Sequence, residues 1–582
     1  MARALALPRP FRRAEGGGLW NHFVFWTVAT LVLLPTGFLI VGSFSTARLP
    51  TEFSLDQMGW ANHIKVWTDP VTWGLFYNTF VYVGGSTAFG ITVAAVLAWL
   101  VERSDMPGKI WIYAGVPLTL AVPGLLQSMA WVLLLSPRSG FINRFLIDTL
   151  GLDAAPVDIY SLGGMIFVEG LRLVPTAFLM LVPLLRAMDP ALEEAAAVSG
   201  ARPARAVRRV TLGLMAPGLV AVVIYQAMTA LEVFEVPGVL GLPANIHVFS
   251  TQIYAILQTV ELPAVGEANA LAMLYLLIAI VAIYFYSRMI GRAERFSVIT
   301  GKGYRPRPVA LGRWRHVCLA LVFVFLILSV ILPFLVLLYV SFLPVLQPPS
   351  LEAFRAMSFE QYREIFTYDR FRQTFTNTLL MVFVAATATT VLSFLISLVV
   401  VRSKFFARRL LDQIAFIPHA IPGIVMGIAF LWLYLLVDQK LGTGFFGSIW
   451  SIAIGFTVAF IAYGTRSMNA AILQVHHDLE EAATTSGAPP WRVMIRIFVP
   501  LMLPTFAGVW IWVVLLTVRV AGMPLVLFEG PDNEVLAVLI WYMWDEGDIE
   551  AVGAIGAMLM ASLLLLTLGV RFLGFGRGPA QN

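Results

Sequence analysis

Cysteine is all but missing from this 582-residue chain: Cys318 stands alone, so an intrachain disulfide and a multi-thiolate metal site are both excluded. Charge is scarce too. Asp, Glu, Lys and Arg make up 13% of the residues, against roughly 25% in soluble domains. That scarcity rules out a disordered chain, which is rich in charge and poor in apolar residues. A phosphate-cradling G-x-x-x-x-G-K-[ST] loop is also lacking, because Gly301-Lys302-Gly303 has neither the upstream glycine nor the hydroxyl residue. Any ATP chemistry would therefore come from another subunit. The seven histidines are dispersed, and His476-His477 reads as a loop feature, so no metal site and no catalytic residues are expected. What the chain does have is apolar surface: 59% hydrophobic residues and a mean hydropathy of +0.83. A water-soluble core could not hide that much. With 33 prolines and 46 glycines a long coiled coil is excluded as well. An all-α integral membrane protein remains. The pI of about 9.3 would suggest nucleic acid if the basic residues shared one soluble face. They lie between apolar runs instead, so the expected surroundings are a lipid bilayer and no nucleic acid.

A membrane-spanning helix needs about 20 apolar residues, and its backbone must be satisfied internally. Twelve stretches qualify: 20–44, 76–100, 111–135, 161–185, 214–235, 268–290, 315–343, 375–400, 412–437, 447–472, 500–528 and 551–573. The first follows four arginines but is too long for the apolar region of a secretory signal. Of the 39 Lys and Arg residues, 28 fall in one alternate set of loops and nine in the other. The positive-inside rule then places both termini in the cytoplasm.

The chain also repeats itself. Asn78-Thr79 matches Asn377-Thr378 and Pro123-Gly124 matches Pro422-Gly423, both at an offset of 299. Further on, Glu193 to Ala196, Gly200, Arg209 and Pro217 match Glu480 to Ala483, Gly487, Arg496 and Pro504 at 287. Two six-span repeats in the same orientation, related by an axis along the membrane normal, follow. The expected organisation is a cytoplasmic tail (1–19), repeat 1 (20–290), a basic linker (291–314), repeat 2 (315–573) and a second tail (574–582).

Between the fourth and fifth spans of each repeat lies a loop, 186–213 and 473–499, with the pattern of a short capped helix. Asp189 before Pro190 reads as an N-cap with proline at the first helical position. Asp478 followed by Glu481 resembles a capping box. The acidic residues oppose the helix dipole, the alanines give a flat helical face, and Gly200 and Gly487 end the helix after two to three turns. Such a helix is unstable alone in water and must dock against something: the membrane surface, or a partner.

Glu-Ala-Ala, a glycine four residues on and a proline about 17 beyond resembles the EAA loop of binding-protein-dependent ABC importer permeases. The resemblance covers nearly the whole chain. It implies that Glu193, Glu194, Ala195, Ala196 and Gly200, with Glu480, Glu481, Ala482, Ala483 and Gly487, contact a cytoplasmic ABC ATPase, two copies in all, which would hold ATP and Mg. It also implies a periplasmic solute-binding protein and a bacterial inner membrane location. The fused twelve-span form is similar to iron(III)-type permeases, and less so to the thiamine type. Polyamine, sulfate and phosphonate importers have similar subunits. The chain itself would not be an enzyme. The rival is a twelve-span secondary transporter, which needs no ATPase and no EAA loop.

Ionisable residues inside spans are expensive and mark function. Glu169 and Arg172 sit at i,i+3 on one helical face, where they can pair. Glu232 aligns with Arg519 at the 287 offset, so opposite charges at pseudo-equivalent positions could meet near the symmetry axis. Glu232, or Glu235, paired with Arg519 would then gate or line a translocation path. The acidic outer loop 529–550 reads as a docking surface, an attraction for a cationic solute, or a solvated loop. Pro123-Gly124 and Pro422-Gly423 are expected to kink or unwind the third spans.

Overall fold

A computed structural model describes residues 17–47, 50–186, 198–200, 212–258, 264–293 and 308–572. Among them, eleven helices are long and apolar enough to cross a bilayer. Five belong to the N-terminal half: Gly17–Phe44, Pro70–Arg103, Leu162–Arg186, Leu212–Glu232 and Val265–Ala293. Six belong to the C-terminal half: Trp314–Val340, Asp369–Arg402, Gly423–Leu441, Ile449–Gln474, Trp491–Arg519 and Ile549–Phe572. A bent pair, Lys109–Ala121 and Gly124–Leu135, meets at 96° and brings the number of crossings to twelve if it counts as one span.

The bend has a local cause. Val122 and Pro123 are extended (ψ 118° and 136°), and the proline has no N–H to continue a helical ladder. Its counterpart in the other half breaks the chain in the same way: Arg408–Phe416 ends in a tight turn, Ile421 is extended, and a new helix starts at Gly423. The single helix expected over 412–437 is therefore two pieces.

Close helix crossings build each half. Pro70–Arg103 crosses Leu162–Arg186 where Gly90 meets Gly170: a Cβ on Gly90 would sit 2.9 Å from the Gly170 carbonyl oxygen. Asp369–Arg402 crosses Ile449–Gln474 through hydroxyls instead. Thr389, Ser393 and Ser397 donate to the carbonyls of Thr457, Ile461 and Thr465 at 3.3, 3.3 and 3.2 Å. Small residues let backbones approach where no hydrophobic force drives helices together.

The segments read as outer loops are largely buried. After Glu232 the chain leaves the helix, makes a wide turn over Pro237–Gly241, and re-enters helix at Phe249–Leu257. After Arg519 it does the same through Gly522–Leu527 and Leu536–Glu546. Asn78 donates to the His247 carbonyl and Asn377 to that of Glu534. The Phe249 and Leu536 N–H groups donate to Thr79 and Thr378. All four pairs keep the 299 and 287 offsets seen in the sequence. Glu534 itself is not a solvated loop carboxylate. It is fully buried, held by Arg370 at 2.6 and 2.9 Å and by Thr374 at 2.7 Å.

Candidate functional site

Two sites emerge, one at a loop end of the bundle and one at its centre. The first is the helix His477–Thr485, nine residues long. Its N-cap is His476, not Asp478 as the sequence pattern suggests. His476 has the extended backbone of a cap (φ −69°, ψ 143°), and its ring nitrogen accepts from the Asp478 N–H at 3.4 Å. Asp478 lies inside the first turn, where its charge still opposes the helix dipole. The C-terminal end is as expected for a glycine stop. Ala488 N–H donates to Ala483 O and Gly487 N–H to Thr484 O, both at 3.0 Å, the two bonds of a Schellman motif. Gly487 takes φ +80° to make them, and Gly200 takes the same φ of +80°. Glu193, Glu194, Ala195 and Ala196 lie outside the described residues.

The two glutamates of the second loop face different ways. Glu481 is exposed, as are Asp478, Ala482 and Thr485, while Ala483 is half-buried. Glu480 turns inward and forms an ion pair with Arg402 at 3.3 Å. Arg402 closes the Asp369–Arg402 segment. Its Nη2 also donates to the Ile472 carbonyl at 2.9 Å and to that of Val475, and its guanidinium lies 5.6 Å from the centre of the Phe498 ring. In the other half Arg103 Nη2 donates to the Leu185 carbonyl at 3.1 Å. Arg103 and Arg402 differ by 299, and Leu185 and Ile472 by 287. In the sequence both arginines register only as topology signals; their shared offset was the cue to more.

The second site is a cavity of about 300 Å³ between the halves. Arg172, Glu232, Glu235 and Arg519 all line it, and Glu169 stands behind Arg172. The i,i+3 pair closes in bidentate form: Arg172 Nε donates to Glu169 Oε2 at 2.8 Å and Nη2 to Oε1 at 3.0 Å. Glu169 is completely buried, so the pair must be satisfied within the protein. Arg172 runs along the bend: a Cβ on Gly124 would lie 3.3 Å from its Cδ. Glu235, also buried, accepts a hydrogen bond from the Ala521 N–H at 2.8 Å.

Glu232 and Arg519 share the cavity without touching. No ion pair within 4.0 Å joins them, and Arg519 Nε, buried, has no hydrogen-bond partner. The direct Glu232–Arg519 contact anticipated from their alignment is replaced by two charges facing the same space. Glu235 does not meet the Arg519 guanidinium within that distance either; its partner is the backbone two residues on. The sequence reading missed His419, which lines the cavity from the turn before Pro422-Gly423. Its 299-offset counterpart, Leu120, lines the cavity too. An apolar chamber holding fixed charges of both signs can receive a polar or charged solute stripped of part of its water.

Residues 390–576 match the family model for the binding-protein-dependent transport system inner membrane component. The chain is 24% identical over 439 residues to a Haemophilus influenzae protein named as a ferric transport system permease; the match covers 75% of this chain and 66% of that one. It is 22% identical over 502 residues to the ferric transport system permease protein of Actinobacillus pleuropneumoniae, covering 85% and 69%. It is 28% identical over 240 residues to the sulfate transport system permease protein CysT of Escherichia coli, covering 38% and 83%. The aligned part thus spans about two thirds of the length of the two ferric relatives.

Proposed function

We propose that the chain is a binding-protein-dependent transport system inner membrane component, as the match over 390–576 and the relatives support, and that it carries both permease halves of an ATP-driven importer. It is a multi-pass protein of the bacterial inner membrane. In this reading the helix His477–Thr485 and the matching sequence motif of loop 186–213 seat in two copies of a cytoplasmic ABC ATPase, which binds ATP and Mg. A periplasmic binding protein delivers the solute to the opposite face. ATP binding draws the two motifs together, the halves rock, and the central cavity opens outward; hydrolysis returns it inward. Glu169, Arg172, Glu232, Glu235 and Arg519 line or brace the path.

The observation that carries this reading is the helix His477–Thr485 itself. It ends in a Schellman motif and, while Glu480 and Ala483 face the bundle, leaves Glu481 and Ala482 exposed where another protein can reach them. A secondary transporter has no use for such a helix. Iron(III) is the solute favoured by the relatives that align over most of this chain, whereas the sulfate relative aligns over one part only. The test is purification of the chain with its ATPase from the native membrane. Wild type should retain the ATPase, and Glu481→Lys should lose it. Retention by both, with uptake unchanged when the ATPase is deleted, would return the chain to the secondary-transporter class.

A further inference from the structure

The two glutamates of the motif face different ways, Glu480 toward Arg402 and Glu481 toward solvent. We propose that Arg402 is a positioning residue that latches the coupling helix to the bundle through Glu480, leaving Glu481 to meet the ATPase. This rests on the coupling role given above to the helix His477–Thr485.

One guanidinium joins four pieces of chain. Arg402 belongs to the last turn of the 369–402 segment. Its Nη2 donates to two carbonyls, Ile472 and Val475, just where the Ile449–Gln474 helix ends; the Ile472 carbonyl also accepts the capping N–H of Val475. Its Nε lies 3.3 Å from Glu480 Oε1, an ion pair held by charge rather than by an aligned hydrogen bond, and its flat face lies over Phe498, within the next span. The Arg402 side chain is 12% exposed and that of Glu480 28%, so water screens the pair less than a surface bridge. A planar five-donor fork can make these contacts at once; a lysine ammonium cannot hold the same geometry.

The mechanical consequence follows from the connections. The loop from Gln474 to His477 is short, and it alone would let the helix pivot about its N-terminus. Fixing Glu480, one turn into the helix, to the ends of two membrane helices removes that freedom. Displacement of the coupling helix then reaches the 369–402 and 449–474 helices directly. Arg103 repeats the first part of this arrangement on the Leu185 carbonyl, and Glu193 stands at the sequence position equivalent to Glu480.

The test uses the whole transporter, reconstituted in proteoliposomes with its ATPase and binding protein, and measures ATPase retention, binding-protein-stimulated hydrolysis and solute moved per ATP. For Arg402→Lys and Glu480→Gln the ATPase should stay bound and hydrolysis continue, while solute moved per ATP falls roughly tenfold, within the span of coupling between linked sites. Arg402→Ala combined with Glu480→Ala should cost no more than the worse single change, as members of one unit behave. Coupling unchanged in both conservative variants, or losses that simply add in the double variant, would overturn the latch. Should Arg402→Ala fail to fold, the Glu480→Gln and Arg402→Lys results decide alone. Glu481→Lys is the separate control. If it keeps the ATPase and full stimulation, the coupling role of the helix fails, whatever the latch variants do.

Discussion

Glu235 reaches from the N-terminal half of the chain into the C-terminal half, where its Oε1 accepts the backbone N–H of Ala521 at 2.8 Å. Both residues are buried, and Ala521 sits where the Val499–Arg519 helix gives way to Gly522–Leu527. The contact ties the two halves at the level of the cavity. Glu235→Ala strands a buried N–H and should destabilise the protein by about 1–3 kcal/mol. Glu235→Gln keeps an acceptor and should recover most of that loss. Thermal unfolding in detergent separates the two variants.

The exchange of Glu232 and Arg519 has a definite expected outcome. Because the two groups face one cavity without touching, Glu232→Arg combined with Arg519→Glu should transport no better than the worse single variant. Recovery to near wild-type uptake would mean that the two charges do meet at some stage of the cycle.

Much of this architecture was legible in the residues. Apolar runs placed the membrane helices, the i,i+3 spacing paired Glu169 with Arg172, and the Pro-Gly steps marked both breaks. Three things were not legible, for distinct reasons. The returning segments 237–257 and 529–546 read as loops, and 522–527 as the end of a span over 500–528 that in fact stops at Arg519, because their backbones are buried against protein rather than lipid, where hydropathy says little. The N-cap fell on His476 because a ring nitrogen can accept as a carboxylate does, and the backbone geometry decided between His476 and Asp478. Arg402 looked like a topology charge because basic residues at helix ends are common for that reason alone.

The two Pro-Gly bends should respond differently to a methyl group. At Gly124 a Cβ comes within 3.3 Å of an Arg172 side chain already fixed by Glu169, whereas at Gly423 the nearest atom is Val520 Cγ1 at 3.9 Å. Gly124→Ala should lower stability by about 1 kcal/mol, and Gly423→Ala should raise it by roughly 0.5 kcal/mol through helix propensity. Paired melting curves would show opposite signs.

Gly487 takes φ +80° to close its Schellman motif. A Cβ there costs roughly 1–2 kcal/mol, so Gly487→Ala should fray the helix end and weaken ATPase retention. Gly487→Asn, whose side chain tolerates this region better, should fall between alanine and wild type. Equal retention for all three would show that the helix end is not fixed by this residue.

Of the two outer arginine pairs, only one should matter for stability. Arg370 meets a Glu534 whose side chain is 1% exposed, while Arg372 meets an Asp369 that is 91% exposed. Arg370→Ala leaves a buried carboxylate facing no cation and should cost roughly 2–3 kcal/mol. Arg372→Ala should change stability by no more than about 0.5 kcal/mol. Urea or thermal denaturation of the two variants side by side gives the comparison.

The hydroxyl rungs of Thr389, Ser393 and Ser397 make the two inter-helix crossings unlike each other in how they can yield. Each rung engages one particular carbonyl, four residues from the next, so sliding one helix along the other breaks all three bonds together and finds no new register until a full turn has passed. That crossing behaves as a notched joint, at rest only in discrete settings. The Gly90–Gly170 crossing is instead close-packed through its glycines and bonded at one end, where Arg103 donates to the Leu185 carbonyl and Arg186 to Glu102. A duplicated chain need not therefore be fastened alike in its two halves: one crossing is indexed by rungs along its length, the other by glycine contact at its middle and arginine ties at one end.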